Sequence, residues 1–210
     1  DQVAALAQAA KVVNQQIISI IYTPASAAQA LVSNLKQLVR EVAVSPREAI
    51  GLARVFFRFG SELPLVPYTT QARKQQSVNQ DAMTQLVRVT ALGEAARAST
   101  DLTFDSYDEA LALRSELSDA VDTLMEDGVD DELFAALTDL RAATVRDLTV
   151  RGADLARIVG YTPASTMPAL VLAYELYEDA QRADEIVSRN GVSHPGFLPG
   201  LRTLEVLTDA

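Results

Sequence analysis

This sequence predicts an all-α fold: a multi-helix, antiparallel bundle-like domain with a short turn-rich C-terminal segment. Three observations carry that reading. Apolar residues recur at three- and four-residue spacings through most of the chain, the period of one helix face. Two capping boxes, Ser45-Pro46-Arg47-Glu48 and Ser106-Tyr107-Asp108-Glu109, mark helix starts. Gly60, Gly128 and the Pro-Gly pairs near the C-terminus punctuate the apolar runs.

The elements follow in order. Over residues 1–22, Val3, Leu6, Ala10, Val13, Ile17, Ile20 and Ile21 form an apolar helical stripe. Thr23-Pro24 supplies an N-cap and a proline at the first helical position, opening a second helix through Leu31, Leu35, Leu38 and Val42. The box at Ser45 opens a third helix, expected to run to about residue 59 and end at Gly60. Pro64 and Pro67 keep the next stretch from being helical. A fourth helix is expected from about Ser77 through Leu86, Val89 and Leu92 to about residue 98. The box at Ser106 leads into Leu111, Leu113, Leu117, Val121 and Leu124. Gly128 breaks the pattern, and Asp130 restarts it into Leu133, Phe134, Leu137, Leu140 and Val145. Shorter helices are expected at about 151–159, 167–180 and 180–189. Asn190-Gly191, Pro195-Gly196 and Pro199-Gly200 are turns, and Thr203-Leu204-Glu205-Val206-Leu207 reads as one short strand without an evident partner.

In domain terms, residues 1–60 read as an N-terminal helical hairpin region, 61–76 as a linker, 77–189 as an acidic helical region and 190–210 as the turn-rich segment. Together they are expected to form one integrated helical domain. One similarity is internal: Tyr22-Thr23-Pro24-Ala25-Ser26 recurs as Tyr161-Thr162-Pro163-Ala164-Ser165, and Ala30-Leu31-Val32 as Ala169-Leu170-Val171. Because the flanks diverge at once, two independent uses of Thr-Pro as a helix start explain it better than a duplication.

Composition removes whole classes of function. No cysteine is present among the 210 residues, which excludes disulfide scaffolds, thiolate metal sites and a Cys nucleophile. A single histidine leaves little scope for His-based metal or acid–base chemistry. The longest strongly apolar stretch, Ile17 to Tyr22, is far short of the ~20 residues of a membrane span. The sequence opens on Asp1 without an initiating Met or a signal-peptide pattern, and a processed piece or fragment is therefore expected.

The formal charge of −10 is unevenly placed, with +4 over residues 1–100 and −14 over residues 101–210. Between residues 101 and 132, 12 carboxylates face only Arg114. A solvated helix face accounts for that run, and an interaction surface is the alternative. Phosphate binding needs clustered cations, so the chain as a whole does not read as a nucleic-acid clamp.

No catalytic motif is present: no Gly-rich phosphate loop, no nucleophile elbow, no paired-His helix. Glu126-Asp127-Gly128-Val129-Asp130-Asp131-Glu132 lacks the alternating spacing that wraps oxygens around calcium, and reads as an acidic turn. Phe56, Phe57 and Phe59 beside Arg54 and Arg58 fit core packing with solvated arginines better than base stacking. Tyr174-Glu175-Leu176-Tyr177 reads as helix packing. His194 reads as a side chain closing a turn by hydrogen bonds. With Pro195, Phe197 and Pro199 it forms the candidate interaction turn. No catalytic, metal or cofactor-binding residue is assigned, and no cofactor is expected.

The C-terminal third carries a resemblance. Residues 168–180 (Pro168-Ala169-Leu170-Val171-Leu172-Ala173-Tyr174-Glu175-Leu176-Tyr177-Glu178-Asp179-Ala180) are followed by Arg182-Ala183-Asp184-Glu185-Ile186-Val187-Ser188-Arg189-Asn190. Then come Val192-Ser193-His194-Pro195-Gly196-Phe197-Leu198-Pro199-Gly200 and Leu204-Glu205-Val206-Leu207. Together these resemble the C-terminal end of the Mu-like phage DNA circularisation (tail/DNA circulation) proteins. Ser106-Tyr107-Asp108-Glu109-Ala110 and the stretch from Leu140 to Leu148 extend the likeness over about residues 100–210. Two departures stand out: the family's N-terminal domain is not expected in this sequence, and Glu175 and Glu178 are more acidic than the family pattern suggests. Residues 184–207 are also similar to the second half of a LysM-type module, in which a helix leads through an Asn-Pro turn and a Pro-Gly bend to a final strand. That likeness makes the segment a compact knob, and its first half is not evident.

What the resemblance implies is a structural component of a contractile phage tail or baseplate, not an enzyme. Its implied place is the virion tail, after assembly in the bacterial cytoplasm. Implied partners are other tail or baseplate proteins, with homo-oligomerisation in a symmetric assembly. The family name implies an alternative, a DNA-end-binding protein that helps circularise or protect the injected genome. The −14 of residues 101–210 argues against direct DNA contact there.

Overall fold

A computed structural model of the chain describes residues 24–208. The stripe expected over residues 1–22 and the cap at Thr23 lie outside the described residues. What is described is mostly α, as the sequence predicts, with seven helices and one short sheet. It divides into two compact units: unit 1 of residues 24–103 and 114–147, and unit 2 of residues 104–113 and 148–208.

Unit 1 begins with α1 (Pro24–Gln37), which runs into a π-helical turn at Leu38–Val42. Then come α2 (Pro46–Arg54) and α3 (Gln71–Thr100), and it takes its remaining helical residues from α4 (Tyr107–Glu126) and α5 (Asp131–Gly152). Leu31, Leu35, Leu38, Phe56, Val87 and Ala91 form one core cluster, and Leu92, Val121, Leu124 and Leu137 another. The caps follow the sequence. Ser45 Oγ accepts from Glu48 N and Ser106 Oγ from Glu109 N, each at 3.2 Å. Each box glutamate reaches back one residue beyond its serine: Glu48 accepts from Val44 N and Glu109 from Asp105 N. Asp130 Oδ1 accepts from Leu133 N at 2.9 Å, restarting the chain after Gly128, which sits at φ +90°.

Two expected boundaries move. The helix opened at Ser45 stops at Arg54, and the chain continues as successive turns in which Val55, Phe56, Phe57 and Phe59 donate three residues back. On a continuous helix Phe56 and Phe59 would share a face and Phe57 would point away from it. Loosening into turns lets all three pack on the core clusters. α3 starts at Gln71, not near Ser77, because Thr70 Oγ1 accepts from Arg73 N and caps it.

Paired charges brace this unit. Arg40 forks onto Glu94 (Nη2–Oε1 2.6 Å, Nε–Oε2 2.9 Å), and Arg97 Nε adds a bond at 2.9 Å. Glu94 is buried, and the Arg40 hydrogen bond holds its carboxyl below the ordinary range against the opposing effect of burial, with Arg97 assisting. Buried Arg88 donates to Phe59 O at 2.7 Å and to Asp127, pinning the aromatic turns.

Unit 2 holds β1 (Ile158–Tyr161), α6 (Ala169–Tyr177), a 3₁₀ turn at Ala180–Arg182, α7 (Ala183–Arg189) and β2 (Leu204–Leu207). The strands pair antiparallel, Ile158 opposite Leu207 and Tyr161 opposite Leu204. The final strand thus has a partner, and that partner corrects the helix expected at 151–159. α5 ends at Gly152, and β-branched Ile158 and Val159 enter the sheet because β2 offers them a ladder that neighbouring sequence cannot. Arg157 and Thr208 close the ladder's end with two bonds, Thr208 N→Arg157 O at 2.8 Å and Arg157 N→Thr208 Oγ1 at 2.9 Å. Asn190 seals the outer edge of β2: its amide donates to Glu205 O and its carbonyl accepts from Glu205 N, both at 2.8 Å. Ala169, Leu172, Ala173, Ala183, Ile186, Leu198, Leu204 and Val206 form the core. α7 runs through Asn190 and successive turns into the last strand.

The repeated pentapeptide does different work in its two places. Pro24 opens α1, whereas Thr162-Pro163 follows a strand and opens no helix; α6 starts only after Pro168. A second helix start at Thr162-Pro163 is therefore corrected. Local sequence permits both outcomes, and the pairing of Tyr161 in β1 decides the second.

Candidate functional site

Two loops and one helix build an exposed corner of unit 2. The segment carrying His194, Pro195, Phe197 and Pro199 lies along residues 162–168. Leu198 and Met167 exchange backbone bonds (2.8 and 3.2 Å), Pro195 O accepts from Ala169 N at 2.7 Å, and Leu201 N donates to Pro163 O at 2.8 Å. The approach is so close that a Cβ on Gly200 would lie 2.6 Å from Ser165 Cα, so only glycine fits. Buried Leu198 anchors the segment from below.

The sequence-predicted residues take distinct positions. His194 Nδ1 accepts from Gly196 N at 3.0 Å, which leaves the proton of the neutral ring on Nε2, and its ring tilts against Phe197 at 5.2 Å. Phe197 is 67% exposed. Pro195 works through its carbonyl, capping the start of α6, and Pro199 is half-buried. The structure therefore brings this turn to the N-terminus of α6.

What sequence reasoning missed is the outer face of α6. Ala169, Leu172 and Ala173 point into the core, whereas Leu170, Val171 and Tyr174 are exposed. Tyr174 is 62% exposed, which corrects the packing reading for that residue; Leu176 and Tyr177 do pack on the core. A signal was present: eight of the nine residues of Ala-Leu-Val-Leu-Ala-Tyr-Glu-Leu-Tyr are apolar or aromatic all round the helix. Among the described residues, two that are not glycine have positive φ, Glu178 (+56°) at the end of α6 and Leu201 (+60°), itself 83% exposed.

Among the described residues, no group of three or more His, Asp or Glu side chains is placed to hold a metal ion, and no helix is long and apolar enough to cross a membrane. The chemistry this corner offers is apolar contact beside carboxylates.

No protein-family model matches the chain. The chain is similar to a DNA circularization protein of a Mu-like prophage. Specifically, it is 31% identical over 130 residues to the Mu-like prophage FluMu DNA circularization protein of Haemophilus influenzae. That alignment covers 60% of this chain and 28% of the relative, so the chain matches less than a third of that protein's length.

Proposed function

We propose that this chain is a structural component of a contractile phage tail or baseplate that works through protein–protein contacts and is not an enzyme. The observation that carries the reading is the exposed apolar corner on unit 2, formed by Leu170, Val171, Tyr174, Phe197 and Leu201. Exposed apolar side chains on α6 and on the loop bonded to its first residue are what a packing interface needs. The relationship to a Mu-like prophage protein supports a phage setting. Neighbours are other tail or baseplate proteins and further copies of this chain in a symmetric assembly, in the virion tail.

The relative's name favours a second reading, binding to DNA ends for circularisation or protection. Five arginines of unit 1, Arg40, Arg54, Arg88, Arg97 and Arg141, each engage a carboxylate instead of standing free for phosphate, which speaks against DNA contact by this region. Immunogold labelling of purified virions tests the first reading: label on the tail supports it. Label confined to packaged or injected DNA, together with DNA retention at low salt, establishes the second instead.

A further inference from the structure

The outer face of α6 carries charges that folding does not explain. Leu170, Tyr174 and Val171 lie on the side opposite the buried Ala169, Leu172 and Ala173, and exposed Glu175 and Glu178 continue that side to the helix end. The helix is nine residues, about 14 Å long. Glu178 occupies the left-handed position that closes the helix, its N–H bonded to Tyr174 O at 3.0 Å. Glycine is the ordinary residue there. A carboxylate at that point also faces the negative end of the helix dipole, and Glu175 repeats the misfit within the last turn. Among the described residues neither carboxylate forms an ion pair. Leu201, in the loop bonded to Pro163, makes a matching case, an exposed bulky apolar side chain with positive φ. Residues that fit the fold poorly and point outward are accounted for by what they meet outside it.

We propose that this face docks a cationic amphipathic segment of another protein, with apolar side chains over Leu170, Val171 and Tyr174 and Lys or Arg over Glu175 and Glu178. The inference rests on the reading of the chain as a tail interaction component, and names the chemistry of its partner. Charge selects the occupant. A second copy docked through the same face would set one acidic helix end, on a protein of net charge −10, near another, and a nucleic acid would meet the same repulsion. A basic helix with anchors three and four residues apart satisfies both halves of the face.

The test places a photoreactive p-benzoylphenylalanine at position 174 in virions assembled in the host and identifies the adduct by mass spectrometry. The expected adduct is a tail-protein peptide with apolar residues and at least one Lys or Arg within a helical turn. The double variant Glu175→Lys/Glu178→Lys lowers its yield at least tenfold. Glu178→Gly lowers the yield several-fold while raising the melting temperature of the isolated chain by about 2–4 °C, since it relieves the backbone and the helix end. An adduct with another copy of the chain or with a cation-free peptide overturns the inference, as does a yield indifferent to charge reversal or a fall in melting temperature with Glu178→Gly. No adduct in particles whose tails carry the chain overturns the inference and leaves the tail reading standing. Absence of the chain from virions overturns the reading and the inference with it.

Discussion

Unit 1 and unit 2 reach order by different means. Unit 1 is long helices whose two core clusters are braced by buried or half-buried ion pairs, with Glu94 clasped by Arg40 and Arg97 and Arg88 holding the aromatic turns. Unit 2 takes only the ends of α4 and α5, and the helices wholly its own are nine and seven residues, too short to persist alone, around one core of eight buried residues. Its order comes from backbone and Asn190 hydrogen bonds that lace loops and strands distant in sequence. Where helices are long, side-chain charge can be used for bracing; where they are short, the backbone of the connecting loops must be satisfied instead. The exposed apolar side chains sit on the laced unit, where backbone bonds to residues 163–169 hold the surface loop.

Three substitutions challenge that contrast. The largest effect is expected from Leu172→Ala, at the fully buried centre of the small core: a loss of about 2–5 kcal/mol, seen by calorimetry as an early transition ahead of the melting of the rest. A single unshifted transition would mean that the small core does not stand on its own packing. Next is Asn190→Ala, which orphans both Glu205 backbone groups and removes the Ile186 contact. It should cost about 2 kcal/mol and speed amide exchange in β2, and unchanged exchange there would show that Asn190 merely decorates the edge.

Smallest is Glu94→Gln in unit 1, about 1–2 kcal/mol at neutral pH, measured by urea denaturation. Its sign with pH is fixed. The folded carboxyl titrates below its ordinary value of 4.5, so its contribution is complete above that value and fades as pH falls through the lowered one. Wild type should therefore lose more stability than the variant below about pH 4.5. Parallel acid profiles for the two proteins would remove Glu94 as a brace.

Much of this was legible in sequence, for reasons that are local. Ser45, Ser106 and Asp130 cap helices where they stand because a cap needs only the next three residues. The apolar periods of α1, α4 and α5 and the break at Gly128 are equally short-range. The turn at residues 194–200 was visible through its Pro-Gly pairs, although not what it rests on. What escaped was non-local. Ile158 to Tyr161 became a strand only because Leu204 to Leu207 came to lie beside it, and the second Tyr-Thr-Pro-Ala-Ser was drawn with it away from the helix start that the same letters make at Pro24. The outward face of α6 escaped too, since a helix apolar on every side does not say which side the core will take.

By itself, then, the sequence determined the helical class, the capped helix starts and the charge asymmetry, because propensity, capping and composition act over a turn or two of chain. Only the tertiary structure decided the sheet, the division into two units, and which apolar residues were left outside. Those outcomes depend on segments more than forty residues apart competing for the same backbone partners and the same core.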